Sequence, residues 1–360
     1  MGYETYRIAD LIDEIAMGPF GSNIKVSCFV DSGVPVLNGS NLEGFSLSEK
    51  TFRYVTREKA DSLNKANAHR GDIVITHRGT LGQIVFIPQD SKYDRYVISQ
   101  SQFRVRCNDK VLPEYLVYYF HTPIGQHKLL SNASQVGVPA LARPSSTFQQ
   151  IEVVLPELSI QKRVVEIIST IQKKIVNNQE QNDNLYEMVN AYYTSLFKDV
   201  ECEMTTIGNY AERIYSGGTP TTSNAAYWDG AFGWFSSGET RNRFVISTEK
   251  TITQAGIDNS STKLAAKHDI VMASAGQGFT RGQTSMLLID TYVNQSVIVI
   301  HAERNVLPYL FWNLANRYEE LRAISDSSSI RGSLTTKMIA TFEIPLANEE
   351  SLQALSLIHI

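Results

Sequence analysis

The sequence has little cysteine and no long apolar run. Its three cysteines, Cys28, Cys107 and Cys202, lie far apart and form no C-x-x-C pair. This spacing indicates neither a disulfide scaffold nor a zinc site, so we interpret all three as buried, inert thiols. No run approaches the roughly 20 apolar residues of a membrane helix. The first residues also lack the basic-then-apolar order of a secretion signal, and we therefore expect a soluble, cytoplasmic protein.

An excess of positive charge is also absent. The chain of 360 residues has 33 Lys plus Arg against 37 Asp plus Glu, which gives a net charge of -4. No overall positive field therefore points to a nucleic-acid partner. Phosphate binding needs only local basic patches, so the composition weakens such a partner without excluding it.

Several enzyme motifs are missing as well. The sequence has no G-x-x-x-x-G-K-[ST] loop, no H-E-x-x-H, no G-x-S-x-G and no N-P-P-[YF] tetrapeptide. His69 and His77 lie near Asp72, but neighbouring residues of a strand point to opposite faces, which disfavours a metal or acid–base cluster. We interpret the chain as a binding and scaffold protein with no catalytic residue and no metal site. A nuclease or methyltransferase with cryptic motifs is the alternative.

What the sequence does contain is an internal repeat. Short strings recur in the same order at a separation of about 190 to 200 residues, far longer than the period of a solenoid. The pairs are Asp72-Ile73-Val74 with Asp269-Ile270-Val271, Gly82-Gln83 with Gly282-Gln283, Gln100-Ser101 with Gln295-Ser296, and Leu112-Pro113 with Leu307-Pro308. The closing segments 151–156 and 341–345 also match. Together they predict a duplicated domain.

Both copies have a mixed pattern. Strand-like runs at 72–76, 83–87 and 297–301 alternate with turns rich in Gly and Asn. Helical spacing of Leu, Tyr, Phe and Trp follows Pro113 and Pro308. The copies are therefore predicted to be α/β or α+β domains.

A long helix is predicted between the copies, because residues 157–197 contain neither Pro nor Gly. Seam positions recur at alternating spacings of four and three with one stutter, as in a coiled coil. They are Ile160, Val164, Ile167, Ile171, Ile175, Asn178, Asn182, Leu185, Val189, Tyr192 and Leu196. About 37 residues at 1.5 Å each give a rod of roughly 55 Å. An amphipathic helix that packs on one domain is the alternative.

A second helix is expected after the second copy. Asn348 can cap it, with Glu349 and Glu350 in its first turn. Only about a dozen residues remain, so we expect this helix to be truncated. The last six residues, 355–360, resemble the translation of a sequencing-library adapter, which would make the natural chain longer; a native amphipathic tail is the alternative.

The predicted fold class is α+β, with two similar α/β domains joined by a long coiled-coil-type helix and a truncated second helix. The predicted boundaries are 1–157 for the first domain, 158–200 for the spacer helix, 201–346 for the second domain and 347–360 for the distal helix.

Particular strings resemble one family. Residues 18–23 (G-P-F-G-S-N), 71–82 and 138–141 in the first copy are similar to its opening, middle and closing motifs. Residues 216–230 (S-G-G-T-P-T-T-S-N-A-A-Y-W-D-G), Trp234, 252–264 and 294–295 are similar to it in the second copy, and Gln161 marks its central helix. The chain resembles the specificity subunits of type I restriction-modification systems, which carry two target-recognition domains.

That resemblance implies a division of labour. Each domain would enter the major groove of double-stranded DNA at one half of a bipartite target, and the helix would act as a ruler over at most about 16 base pairs. Modification subunits that methylate adenine, and restriction subunits with motor and nuclease activity, would assemble on the helices. S-adenosylmethionine, ATP and Mg²⁺ would belong to those partners and not to this chain.

The resemblance does not transfer the base-reading residues, so we choose them by chemistry. Arg can pair with guanine, and Asn or Gln with adenine, through two hydrogen bonds. The base-reading candidates are Asn38, Asn41, His77 and Arg78 in the first copy and Arg241, Asn242, Arg243, Gln277 and Arg281 in the second; Lys25, Arg143 and Arg331 are the phosphate candidates. We interpret Tyr227, Trp228 and Trp234 as core rather than base-stacking residues.

Two further alternatives remain open. The chain could be a silent or truncated specificity cassette, because its second helix is short. It could also be a stand-alone DNA-binding regulator, which would favour a two-fold-symmetric target; the two unlike halves disfavour such symmetry.

Overall fold

The structure is a computed structural model. It describes residues 2–134, 137–197, 203–276, 279–327 and 332–356. The chain divides into two compact units, Met1–Asn178 and Gln179–Ile360, and each is described by itself. Three residues singled out above, Cys202, Gln277 and Arg331, lie outside the described residues.

The first unit mixes short strands with short helices. Its strands are β1 (Tyr3–Arg7), β2 (Ile12–Met17), β3 (Phe29–Val30), β4 (Val34–Val36), β5 (Arg53–Val55), β6 (Asn67–His69), β7 (Ile73–Thr76), β8 (Ile84–Phe86), β9 (Arg95–Val97), β10 (Gln102–Cys107), β11 (Ala133–Ser134), β12 (Ala140–Leu141) and β13 (Glu152–Pro156). Its helices are α1 (Arg57–Ser62), α2 (Pro113–His121), α3 (Pro123–Leu130), α4 (Pro144–Gln149) and the first part of α5 (Leu158–Phe197).

A four-stranded antiparallel sheet in the order β2-β10-β7-β8 forms the centre of this unit. All four residues of β7 are buried, because apolar side chains cover both faces of the sheet. Ile73 and Ile75 pack with Phe103 and helix α2, whereas Val74 packs with Val85 on the other face. The sheet carries a core on each side, which explains the continuous apolar run in β7.

The second unit has the same composition of elements. Its strands are β14 (Met204–Thr206), β15 (Ala211–Ser216), β16 (Trp228–Phe235), β17 (Phe244–Val245), β18 (Lys250–Ile252), β19 (Lys263–Ala265), β20 (Ile270–Ala273), β21 (Thr284–Leu287), β22 (Thr291–Val293), β23 (Val297–Ala302) and β24 (Glu343–Pro345). Its helices are the end of α5, then α6 (Ile207–Tyr210), α7 (Gln254–Asp258), α8 (Leu307–Asn316), α9 (Tyr318–Ser327), α10 (Thr336–Ala340) and α11 (Glu349–Ser356).

Strand order confirms the duplication. The main sheet of the second unit runs β15-β23-β20-β21, the order of β2-β10-β7-β8, with β17 added at the edge. The pair β14-β24 repeats β1-β13, and β18-β16-β22-β19 repeats β5-β4-β9-β6. The two units are therefore two copies of one mixed α/β fold.

The repeated strings occupy equivalent structural positions. Gly82 and Gly282 both have φ of +86°, a left-handed conformation that glycine adopts without steric cost. Leu112-Pro113 and Leu307-Pro308 begin helices α2 and α8, where proline is favoured in the first turn. The repeat therefore records the turns and caps of the shared fold.

Helix α5 is confirmed over Leu158–Phe197, and the structure places its predicted seam residues in two environments. Ile167, Ile171, Ile175 and Leu185 are more than half exposed. The polar pair Asn178 and Asn182 is exposed as well. The residues at the two ends, Ile160, Val164, Val189 and Leu196, are partly buried. Tyr192 is 42% exposed.

The final turns of α5 bury a stripe that shares two residues with the predicted seam. Val189 and Leu196, both predicted, pack with Tyr186 and Tyr193 on the core of the second unit. Tyr193 is 8% exposed, whereas the predicted seam residues Leu185 and Tyr192 are 57% and 42% exposed. The assignment of Leu185 and Tyr192 to a seam that contacts another chain stays a prediction.

The helix after the second copy is present as α11. Asn348 caps it as predicted, with Oδ1 accepting the Ser351 N–H at 2.8 Å. Leu352 and Leu355 are buried in the core of the second unit. Among the described residues, no helix combines the length and apolar character needed to cross a membrane.

Candidate nucleic-acid interface

One end of the main sheet of the first unit gathers several loops. β2 and β7 end there, and β8 and β10 begin there, because all neighbouring strands are antiparallel. We call residues 18–25, 38–41, 77–83, 99–101 and 137–143 the first loop end. The opening motif (18–23) and the closing motif (138–141) of the first copy lie within it, and the middle motif (71–82) runs into it, although the three are distant in sequence.

Hydrogen bonds tie these loops together. The Gly79 N–H donates to the Pro139 carbonyl at 2.9 Å, and the Leu141 N–H donates to the His77 carbonyl at 2.9 Å. The Gln83 side chain donates to the Gly39 carbonyl at 3.0 Å. The first loop end is therefore an ordered surface whose side chains are presented from a fixed backbone.

The second unit has an equivalent arrangement at the same end of its sheet. We call residues 217–224, 237–243, 274–276, 279–283, 294–296 and 332–334 the second loop end. The Leu334 N–H donates to the Ser274 carbonyl at 2.8 Å, which repeats the bond between Leu141 and His77. The Thr240 hydroxyl donates to the Ser237 carbonyl at 2.7 Å and lies 3.4 Å from the Gln283 side chain, so Gln283 contacts the 3₁₀ turn that precedes β17 as Gln83 contacts Gly39.

The structure brings most candidates of the first copy to this surface. Lys25, Asn38, Arg78 and Arg143 are exposed, and His77 is partly buried. Asn38 uses its side-chain oxygen to accept the Ser40 N–H at 2.8 Å, which leaves its NH₂ group as the available donor. Arg143 has φ of 45° and begins helix α4, beside the strand that contacts His77.

Asn41 is the exception and requires a correction. Its side chain is 1% exposed, and its NH₂ group donates to the Ser48 and Thr51 carbonyls at 3.0 Å each. Its oxygen accepts the Asn38 N–H at 2.9 Å. Every hydrogen-bonding position is used to shape the loop, so Asn41 is a structural residue and is removed from the base-reading candidates.

The contacts of His77 define which of its ring nitrogens donates a hydrogen bond. Its Nε2 lies 3.1 Å from the Gln100 carbonyl, an acceptor, so Nε2 carries the proton. Burial lowers the pKa of His77, because a desolvated ring favours its neutral form. In that form, with Nε2–H donating, Nδ1 is an acceptor.

The candidates of the second copy are grouped on the segment that precedes β17. Arg241 bonds to the Gly238 carbonyl at 2.6 Å and pairs with Glu249. Asn242 is exposed. The guanidinium of Arg243 stacks 3.8 Å from the ring centroid of Tyr186 on helix α5. This contact, within the second unit, fixes where Arg243 points.

Arg281 requires the second correction. Its side chain is 14% exposed, because it pairs with Asp326 and donates to the Gly332 carbonyl. These bonds hold the turn between β20 and β21 against the segment that follows α9. Arg281 is therefore a positioning residue of the second loop end and is removed from the base-reading candidates.

The aromatic residues of the second opening motif lie in and beside the core. Trp234 is 5% exposed, and its indole N–H donates to the Gly218 carbonyl at 3.2 Å. Trp228 packs edge-on against it with centroids 5.0 Å apart. Tyr227 is partly buried and its carbonyl accepts the Thr253 N–H at 3.0 Å. Their interpretation as structural residues is confirmed for Trp234 and agrees with these contacts for the other two.

The opposite end of the sheet holds a charge network that the sequence reasoning missed. Asp72, whose side chain is 1% exposed, contacts Arg106 at 2.9 Å and Arg104 at 3.4 Å, and Arg104 also contacts Glu14 at 2.7 Å. Arg104 and Arg106 are two residues apart on β10 and therefore lie on one face, which was the available clue. In the second unit Asp269 bonds instead to His301 at 2.6 Å.

These acids do not form a metal site. His77 lies at the other end of β7 from Asp72, and His69 reaches Asp72 only through its backbone N–H at 2.9 Å. Within the described residues, no group of three or more His, Cys, Asp or Glu side chains is arranged to hold a metal ion.

Comparison with known proteins decides the family. A family model described as the type I restriction modification DNA specificity domain matches residues 2–186, just over half of the chain. The chain belongs to the type I restriction-modification specificity family. The first copy, with the first loop end and most of α5, is the part covered by this match.

Two similar proteins extend the comparison beyond residues 2–186. The Type I restriction enzyme EcoR124I/EcoR124II specificity subunit of Escherichia coli is 26% identical over 258 residues, which cover 67% of this chain and 61% of that protein. The chain thus spans about three fifths of this relative. The type I restriction-modification S subunit from M. genitalium has a TM-score of 0.64 at 14% identity, covering 99% of this chain and 87% of that one, which supports the same fold.

Proposed function

We propose that the chain is the DNA-recognition subunit of a type I restriction-modification complex and that each unit reads one half of a bipartite target. The observation that carries the proposal is the duplicated fold of a specificity family, in which each copy presents its own loop end. Two unlike loop ends on one frame suit two unlike half-sites.

The base-reading residues follow from the corrected set. In the first unit they are Asn38, His77 and Arg78, with Lys25 and Arg143 on phosphate. In the second they are Arg241, Asn242 and Arg243. Gln277 and Arg331 remain predictions, one for a base and one for a phosphate. Arginine and asparagine can each make paired hydrogen bonds to a purine edge in the major groove, whereas lysine positions the backbone.

Helix α5 supplies the scaffold in this proposal. Its exposed apolar positions Ile167, Ile171, Ile175 and Leu185 form a stripe around the polar pair at 178 and 182. We assign this stripe to contacts with modification and restriction subunits, and the length of the helix to the unread spacer of the target. Isoleucine and leucine at more than half exposure are more favourable in a subunit interface than in water.

No catalytic role is assigned to this chain. In the proposal the modification subunits bind S-adenosylmethionine and methylate the DNA, and the restriction subunits use ATP and Mg²⁺. The chain functions in the cytoplasm, where the genomic DNA lies.

The test is base-modification sequencing of host DNA after co-expression of this gene with its neighbouring modification gene. Methylated adenines at one split motif with two unlike halves are expected. The modification gene alone is the control and should give none. Absence of any motif from the co-expressed pair would contradict the proposal and leave a silent cassette, whereas methylation by this chain alone would contradict the non-catalytic assignment.

A further inference from the structure

Two phenylalanines have an unusual exposure. Phe20 is 82% exposed and Phe279 is 80% exposed, while the next most exposed described phenylalanine, Phe232, is 38% exposed. A single exposed apolar residue needs no explanation. Two rings of the same kind, one in each unit and far more exposed than the other described phenylalanines, do need one.

Both rings lie at a loop end. Phe20 is in the loop that leaves β2, and Phe279 is in the turn between β20 and β21. These positions are not equivalent in the repeat, because Phe20 follows the first strand of its sheet and Phe279 follows the third. Duplication of one ancestral loop therefore does not explain why each unit presents a ring at the same end.

Hydrogen bonds fix the backbone at each ring. The Phe20 carbonyl accepts the Asn23 N–H at 2.8 Å, and the neighbouring Gly21 lies against the side chain of Gln100, whose carbonyl is 3.1 Å from His77 Nε2. The Phe279 carbonyl accepts the Tyr318 hydroxyl at 2.6 Å, and the Arg322 guanidinium lies 5.9 Å from its ring centroid. Each exposed ring is thus carried by a hydrogen-bonded loop at the loop end of its own unit.

Building on the proposed function, we propose that Phe20 and Phe279 are wedges, each of which inserts between stacked base pairs at the half-site of its own unit. Proteins that kink DNA from the minor groove insert phenylalanine between base steps, and unstacking a step is offset by the contacts that the bent duplex permits. In this proposal the rings act on the step itself, while their neighbours read base edges in the major groove. An aromatic ring stacks on any base, so the wedge adds affinity while its neighbours supply sequence discrimination.

The surroundings favour duplex DNA over an apolar partner. Four of the exposed residues that follow Phe20 are Ser22, Asn23, Lys25 and Val26, of which three are polar or basic, and the charged group beside Phe279 is an arginine. A protein interface with an apolar core would surround each ring with further apolar side chains. Rings whose neighbours are mostly polar or basic suit a surface that offers base faces next to phosphates.

The experiment uses the full chain assembled with its modification subunit. The probes are duplexes that carry the split motif found by base-modification sequencing, each with 2-aminopurine at one position of one half-site. In the wild-type complex the fluorescence rises at one step of each half-site, because the base unstacks. Phe20→Ala abolishes the rise at one half-site only, and Phe279→Ala abolishes it at the other. Each weakens binding roughly 5- to 100-fold, the range that one base–ring stack supports.

Matched variants provide the controls. Phe20→Trp keeps a stacking ring and retains the rise. Val26→Ala and Ile246→Ala remove apolar side chains that are 80% and 73% exposed, one in each unit, and leave binding and fluorescence unchanged.

Two outcomes separate the two proposals. If the wild-type complex binds the split motif and Phe20→Ala and Phe279→Ala keep both affinity and fluorescence, the wedge is wrong and the recognition function stands. If no split motif exists for the wild-type complex, both proposals are overturned.

Discussion

The main sheets of the two units have the same strand order, but the buried acid beside each sheet has different basic partners. Asp72 and Asp269 precede equivalent strands, and each accepts a turn N–H at 2.9 Å, from His69 and Ala266 respectively. In the first unit the carboxylate faces two arginines, whereas in the second it faces His301. The hydrogen bond from the turn to the acid is therefore common to both copies, whereas the basic partner of the acid differs between them.

The loop ends differ more than this acidic end does. Gln83 and Gln283 hold equivalent turns, yet the side chains that these turns present are Asn38, His77 and Arg78 in one unit and Arg241 to Arg243 in the other. A frame that is fixed by glycine and glutamine can thus carry unrelated recognition surfaces. The predictions below test where the two copies are interchangeable and where they are not.

The largest expected effect is loss of the acid in the first unit. Asp72→Ala breaks the buried pair with Arg104, whose side chain is 5% exposed, removes the contact with Arg106, and leaves Glu14 as the carboxylate that still contacts Arg104. We expect the free energy of unfolding to fall by about 3–5 kcal/mol, the usual result of breaking a buried ion pair. The measurement is urea unfolding of the full chain, with hydrogen exchange at β7 and β20 to show which unit is affected. Asp269→Ala is the matched variant and costs about 1–3 kcal/mol, because it removes a contact with one histidine rather than with two arginines; equal losses would refute the difference between the units.

A second effect concerns the buried residues near the starts of α5 and α11, which we call the helix anchors. Gln161 is 1% exposed; its oxygen accepts the Leu112 N–H at 3.1 Å and its NH₂ group donates to the Pro156 carbonyl at 2.9 Å. Leu352 occupies the equivalent place in the second unit, nine residues after Glu343 as Gln161 is nine residues after Glu152. Gln161→Leu should cost about 1–3 kcal/mol because it leaves buried backbone groups unpaired. Unfolding measurements that find Gln161→Leu neutral would mean that the two anchors are interchangeable.

A smaller effect tests the corrected role of Arg281. Arg281→Ala removes its bonds to Asp326 and the Gly332 carbonyl, and we expect a loss of about 1–2 kcal/mol in stability with faster hydrogen exchange at Leu334. Arg78→Ala, which removes an exposed side chain of the first loop end, should change stability by less than about 0.5 kcal/mol. If Arg281→Ala leaves exchange at Leu334 unchanged, Arg281 does not position this loop.

The smallest expected effect is a pH dependence of folding stability that comes from Glu14 in the first unit. The hydrogen bond from Arg104 lowers the pKa of Glu14, so the carboxylate stabilises the folded state above its ordinary pKa and this contribution is lost as pH falls through the lowered value. The difference in stability between wild type and Glu14→Gln should therefore be larger at pH 7 than near pH 3. A difference that does not change with pH would exclude this contribution.

Local patterns predicted most of the frame. The apolar runs of β7 and β23, the proline starts of α2 and α8, and the Asn348 cap each depend on residues that are neighbours in sequence. The repeat then predicted two units of one fold, because it preserved turns that any copy of the fold requires.

Contacts between distant residues could not be predicted in the same way. Asp72 meets Arg104 across 32 positions and Arg281 meets Asp326 across 45, so neither partner is visible in a local pattern. Asn41 has the residue type of a base reader, but its burial depends on loops brought together by the fold. Periodicity alone also could not separate the face of α5 that packs on the second unit, which includes Tyr193, from the exposed face that includes Tyr192.

The most direct test of the central claim is base-modification sequencing with one variant in each loop end. Arg78→Ala and Asn242→Ala are each co-expressed with the modification subunit, and the methylated motifs are compared with that of the wild type. The account predicts that each variant relaxes or changes one half of the motif, a different half in each case, and leaves the other half intact. Relaxation of the same half by both variants, or an equal loss of methylation at every site, would contradict it.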